Sequence, residues 1–103
     1  MELNEIKDLI IKAKESNATT LYLSSKGLTS LPPEISELKN LTQLYIYSNQ
    51  LTSLPPEILE LDLNVEWENI WKSNAIYLPD NHFENPPVKI VKKGREAILN
   101  YSS

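Results

Sequence analysis

The sequence predicts an α/β fold in which short repeats stack side by side, with a helix closing each end. Three observations predict it. The octapeptide LTSLPPEI stands at 28–35 and again, letter for letter, 23 residues on at 51–58. Ahead of each copy, Leu21 and Leu23, then Leu44 and Ile46, alternate with other residues in the period of a strand. At the two ends, apolar residues recur at helical spacing instead: Leu3, Ile6, Leu9, Ile10 and Ala13, then Val88, Val91, Ala97, Ile98 and Tyr101. A fixed repeat of about 20–50 residues marks stacked supersecondary units, none of which can bury its apolar face alone.

Each element follows in order within a single domain over 1–103. Residues 1–16 read as an N-terminal capping helix, with Asn17 as its stop. Residues 18–83 read as the repeats. The second repeat, LTQLYIYSNQL at 41–51, places apolar residues at Leu41, Leu44, Ile46 and Leu51 and an asparagine at Asn49. An asparagine side chain can bond neighbouring backbone where the chain turns out of a strand. Twenty-three residues earlier, ATTLYLSSKGL carries Ala18, Leu21, Leu23 and Leu28, with Lys26 where Asn49 stands. Pro55-Pro56 favours an extended or turn conformation, and 57–61 a short helical turn. The third repeat has Ile76, Leu78, Asn81 and Phe83, but its offset from the second is 32 residues. The extra residues fall in LDLNVEWENIWKSNA (61–75), an insertion near 61–74. There Leu61, Leu63, Val65 and Trp67 alternate with Asp62, Asn64 and Glu66. That pattern predicts a strand over 61–67, a loop through about 74 and a strand over 75–78. Pro86 and Pro87 suit the start of a C-terminal helix over 86–101, with Gly94 weakening its middle.

The L-x-x-L-x-L-x-x-N-x-L spacing at 41–51 and the paired LTSLPPEI segments resemble leucine-rich repeats, most closely the bacterial repeats of Ras-of-complex (ROCO) proteins. EIKDLIIKAKESNATTLYL (5–23) looks like the capping helix that leads into the first repeat strand. IYLPDNHFENPPVKIVKKGREAILNY (76–101) looks like the closing repeat and final helix. The resemblance implies a short α-β horseshoe solenoid. In ROCO proteins the repeats precede a GTPase domain. With Gly27 and Gly94 as its two glycines, this sequence has no phosphate-binding loop, so GTPase activity does not carry over.

Composition narrows the function further. The chain has no cysteine, which excludes disulfides, thiolate chemistry and cysteine-ligated zinc and suits a reducing compartment. Residues 1–16 contain no apolar run of signal-peptide or membrane-span length, and the expected location is cytoplasmic, with no membrane partner. Net charge is −4. It is spread unevenly: nearly balanced over 1–56, strongly acidic over 57–84 and basic over 85–103. An acidic body does not suit nucleic acid, and the tail lysines read as a solvated helix face. No catalytic constellation, metal site or cofactor motif is expected. His82 is the one histidine, and Asp62, Glu66 and Glu68 fit no ligand spacing.

What remains is a surface. Strand periodicity turns Leu21, Leu23, Leu44, Ile46, Ile76 and Leu78 inward. It turns Tyr22, Tyr45 and Tyr77 outward, with Tyr47 on the same side. Tyrosine is enriched in binding hot spots, and it is equally favoured in cross-strand pairs on an exposed sheet face. Both readings stand at this point. The expected function is a non-enzymatic protein-interaction module. Its concave face would comprise Tyr22, Gln43, Tyr45, Tyr47, Asp62, Asn64, Glu66 and Tyr77, with the acids lying between Tyr45 and Tyr77. A basic or mixed-charge protein is the expected partner, and the chain itself a monomer or weak homodimer. The alternatives are a regulatory fragment docking on larger ROCO-type GTPases, or a purely structural domain.

Overall fold

The computed structural model of the chain describes residues 2–67 and 74–102. Helix α1 spans Leu3–Glu15. Its apolar stripe turns inward: Ile6, Ile10 and Ala13 are buried, while Leu3 stays exposed. The helix stops where Asn17 takes a left-handed φ of 54°, a conformation Asn tolerates better than most residues.

Strands β1 (Thr20–Tyr22), β2 (Gln43–Tyr45), β3 (Asn64–Glu66) and β4 (Ala75–Tyr77) form one parallel sheet in the order β1-β2-β4-β3. Two 3₁₀ turns, Pro33–Glu37 and Pro56–Glu60, follow β1 and β2 and stack on each other. Each opens on a proline, whose fixed φ and missing N–H suit the first helical position. The 23-residue spacing reappears as burial. Leu21, Leu23, Leu28, Leu31, Ile35 and Leu38 share one buried cluster with their equivalents Leu44, Ile46, Leu51, Leu54, Ile58 and Leu61. It reappears again in polar contacts between residues 23 apart. Asn40 Nδ2 donates to Asn17 Oδ1 (3.3 Å), Thr42 Oγ1 to the Thr19 carbonyl (3.2 Å), and Lys14 Nζ to Glu37 Oε1 (2.7 Å).

The turns leaving β2 and β4 are built around asparagine. Asn49 Oδ1 accepts from the amides of Lys26 (3.0 Å) and Leu28 (3.1 Å). Its Nδ2 donates to the carbonyls of Leu23 (2.9 Å), Ile46 (3.1 Å) and Tyr47 (3.2 Å). Asn81 does the same one layer on: Oδ1 accepts from Leu51 N–H (3.0 Å), and Nδ2 donates to the Ile46 and Leu78 carbonyls (both 3.0 Å). Both asparagines are buried. Ser25, Ser48 and Asp80, at equivalent places, all have left-handed φ, so one turn shape recurs three times.

Four expectations are corrected. The strand over 61–67 is three residues long, Asn64–Glu66. Leu61 and Leu63 are buried because the chain leaves the second 3₁₀ turn there, with the Leu63 amide bonded to the Leu61 carbonyl (2.8 Å), not because they alternate in a sheet. β3 lies at the sheet edge rather than between β2 and β4, since β4 pairs directly with β2. The helix over 86–101 is two helices, α2 (Val88–Val91) and α3 (Arg95–Ser102), separated where Gly94 takes a φ of 98° that L side chains avoid. The strand over 75–78 ends at Tyr77, with Leu78 buried beside it. Most of the loop expected through about 74 lies outside the described residues.

Arg95 joins this end to the repeats. Its Nη1 donates to the Leu61 (2.7 Å) and Leu63 (3.2 Å) carbonyls, and its Nη2 to the Leu59 carbonyl (2.6 Å). Planar, forked donors are what three neighbouring carbonyls require. Arg95→Ala is expected to cost about 1.5–3 kcal/mol, the range for hydrogen bonds to a charged group. Arg95→Lys should recover little of it. Urea denaturation of both variants checks this.

Candidate functional site

The site is the sheet face opposite the leucine core. In-register parallel pairing lines up Tyr22, Tyr45, Tyr77 and Glu66 in one row across the four strands, and Thr20, Gln43, Ala75 and Asn64 in the next. The tyrosine rings stack nearly parallel. Tyr22 and Tyr45 are 4.9 Å apart at 4°, and Tyr45 and Tyr77 are 5.0 Å apart at 7°. These distances match the spacing of neighbouring strands, about 4.8 Å, so the sheet itself sets the stack. Tyr47, two residues beyond Tyr45, meets that ring edge-on at 6.4 Å and 86°.

The stack is graded in depth. Tyr22 is 67% exposed, Tyr45 7% and Tyr77 fully buried. Tyr45, Tyr77 and Ala75 form a buried cluster of their own, separate from the leucine core, with Tyr47 packed partly against it. The expectation that Tyr45 and Tyr77 lie on the solvent side is therefore corrected: periodicity assigns their face, and packing on that face covers them. The acids do not lie between Tyr45 and Tyr77 either. Asp62 is exposed outside any strand, Asn64 is exposed on β3, and half-buried Glu66 stands beside Tyr77 at the sheet's far side. Gln43 and Tyr47 are half-buried, and Gln43 Oε1 accepts from Thr20 Oγ1 (3.4 Å). The exposed part of the face thus centres on Tyr22, with Thr20, Gln43 and Tyr47 around it.

Sequence reasoning missed two features of this region. Ser24 Oγ is buried without a hydrogen-bond partner. Trp67, half-buried against the leucine core, packs on Phe83 (6.1 Å, 62°), and Lys92 Nζ lies 5.7 Å from its ring centre, a cation–π distance.

Burial raises the Tyr45 hydroxyl above the ordinary tyrosine range, and the neighbouring Tyr22, Tyr77 and Tyr47 add to the rise. The raised folded-state value means that the native chain holds this proton more tightly than the unfolded chain. Its contribution to stability is complete below the unfolded value, about 10, and is lost as pH rises through the folded one. Stability is expected to fall on the alkaline side, and Tyr45→Phe should remove that part of the fall. Denaturation midpoints of the two proteins across this range check it.

Among the described residues, no group of three or more His, Asp or Glu is assembled that could hold a metal, and no helix is long and apolar enough to cross a membrane. Residues 19–62, from the entry to β1 through the second 3₁₀ turn, match the family of Leucine Rich repeats (2 copies). Over that stretch the chain is similar to leucine-rich repeats, and the four-stranded parallel sheet fits a fold of that type. No curated protein matches the chain.

Proposed function

We propose that the chain is a non-enzymatic protein-interaction module that binds a partner protein through the open sheet face. Leucine-rich repeats generally serve protein–protein interaction, and residues 19–62 match that family. The observation that carries the reading is the graded stack: an exposed Tyr22 held rigid by a buried Tyr45 and Tyr77. A pre-ordered aromatic loses little freedom on binding. Gln43, Tyr47, Asn64, Glu66 and Asp62 complete the contact surface, while Tyr45 and Tyr77 support it from beneath. Carboxylates at one side and a tyrosine at the other suit a partner that offers Arg or Lys beside apolar groups.

In this reading α1 and α2–α3 cap a short solenoid, since both contribute buried residues at its ends, and the module works in the cytoplasm. The LTSLPPEI repeats add a narrower version, a regulatory fragment that docks on larger ROCO-type GTPases. The test is titration calorimetry on a partner recovered from the native cells by affinity capture. Changing Gln43 and Tyr47 together to alanine should weaken binding at least about tenfold, or 1.4 kcal/mol. Affinity that survives this change but is lost on altering the exposed face of α1 overturns the reading.

A further inference from the structure

We infer that the outer edge of β1 is a docking site for an extended segment of another polypeptide, which adds as a fifth strand and lays an aromatic side chain on Tyr22. The inference goes beyond binding on the sheet face, because it concerns the edge and its backbone.

The two edges of the sheet are finished differently. On the β3 side, the Arg95 guanidinium occupies the Leu59, Leu61 and Leu63 carbonyls of the segment leading into the strand, and Gly94 lies against the Val65 carbonyl of the strand itself, 3.8 Å from where a Cβ would sit. At the β1 edge nothing comparable is present among the described residues. Odd-numbered residues turn their backbone toward β2: the Thr19 carbonyl accepts from Thr42 and Gln43, Leu23 N–H donates to Tyr45, and Ser25 N–H to Tyr47. A parallel strand alternates, so Thr20 and Tyr22 turn their N–H and C=O groups the other way, toward an edge with no strand beyond it. Such unpaired groups are a template for another strand.

Two side-chain observations point to the same place. The Tyr22 ring ends the stack at this edge and is 67% exposed, so one ring face awaits the next member of a series spaced 4.9 and 5.0 Å. Ser24 Oγ, on the same side of β1, is buried without a partner.

The layer beneath decides what can occupy the edge. α1 packs on the first 3₁₀ turn, tied there by Lys7–Glu34 (3.5 Å) and Lys14–Glu37 (2.7 Å) ion pairs. It fills the position that the body of a further repeat would need. A helix is about 10 Å across, and strands lie about 4.8 Å apart. A second copy pairing through its own β1 would bring two such helices into a gap one strand wide. An isolated extended segment meets no such obstacle.

The probe is an acetylated, amidated peptide copying residues 41–48, LTQLYIYS, the segment that already pairs with β1 from the other side. Amide shifts and hydrogen exchange of the labelled protein are followed during titration. The expected result is saturable binding, with slowed exchange at Thr20, Tyr22 and Ser24 and none at the β3 edge. Tyr22→Ala should weaken it at least tenfold and Tyr22→Phe should retain it, because the stack needs the ring and not the hydroxyl. Tyr22 is mostly exposed, so both variants should keep the fold. A peptide with alanine in place of its first tyrosine should bind as poorly as the parent does to Tyr22→Ala. No saturation at millimolar peptide, perturbation confined to another surface, or binding indifferent to Tyr22→Ala overturns the inference.

Discussion

Replacing Tyr77 with alanine is expected to cost about 3–5 kcal/mol, as large as truncating a residue of the leucine core. Tyr77 is fully buried, stacks on Tyr45 at 5.0 Å and pairs in register with Tyr45 and Glu66 across two strands. Removing its ring opens a cavity on the face opposite the leucines and leaves Tyr45 stacked on one side only. For a domain of this size the loss corresponds to a melting temperature lower by more than about 10 °C. Tyr22→Ala, at the exposed end of the same row, should cost less than about 1 kcal/mol, the usual scale for a surface change with a partial aromatic contact. Thermal unfolding of the two variants side by side measures the gradient along the stack. Equal, small losses would mean that the Tyr77 environment relaxes and that the row is not a second core.

That gradient marks the limit of what the sequence reveals. Exact repetition made the first two repeats legible, and every buried leucine or isoleucine of the first has its counterpart 23 residues on in the second. Asn49 and Asn81 were legible as turn residues because the strand pattern places them just past its end. The inserted segment was not. Alternation at Leu61, Leu63 and Val65 reads as one long strand, but two of these leucines are buried by the exit from a 3₁₀ turn, and period-2 burial does not separate the two cases. Nor does chain order give strand order: β3 precedes β4 in sequence and lies outside it in the sheet. For the tyrosines, periodicity names a face and says nothing about depth. Tyr22, Tyr45 and Tyr77 are equivalent in the repeat, yet their exposures run from 67% to 7% to 0%, because depth depends on what else packs over that face.

The asparagine pair gives the second large effect. Asn49→Ala is expected to cost about 3–5 kcal/mol: it strands the Lys26 and Leu28 amides and takes a donor from three carbonyls, at about 1–3 kcal/mol for each buried group left unsatisfied. Asn49→Asp tests the balance of the two roles. The carboxylate keeps both amide acceptor contacts but has no N–H for the carbonyls, so it places negative charge against three carbonyl oxygens and should not restore stability. Asn81→Ala acts one layer on, and the two layers are joined at a single atom. Both Nδ2 groups donate to the Ile46 carbonyl, from Asn49 at 3.1 Å and from Asn81 at 3.0 Å. Either single change leaves that carbonyl one donor, whereas the double change leaves it neither of the two. The double variant should therefore lose more than the sum of the singles, by about 0.5–1 kcal/mol, within the coupling range for residues that share a partner. A double-mutant cycle by urea denaturation measures it. Strict additivity would show that the repeats meet through their leucines alone, with no coupling between the asparagine turns.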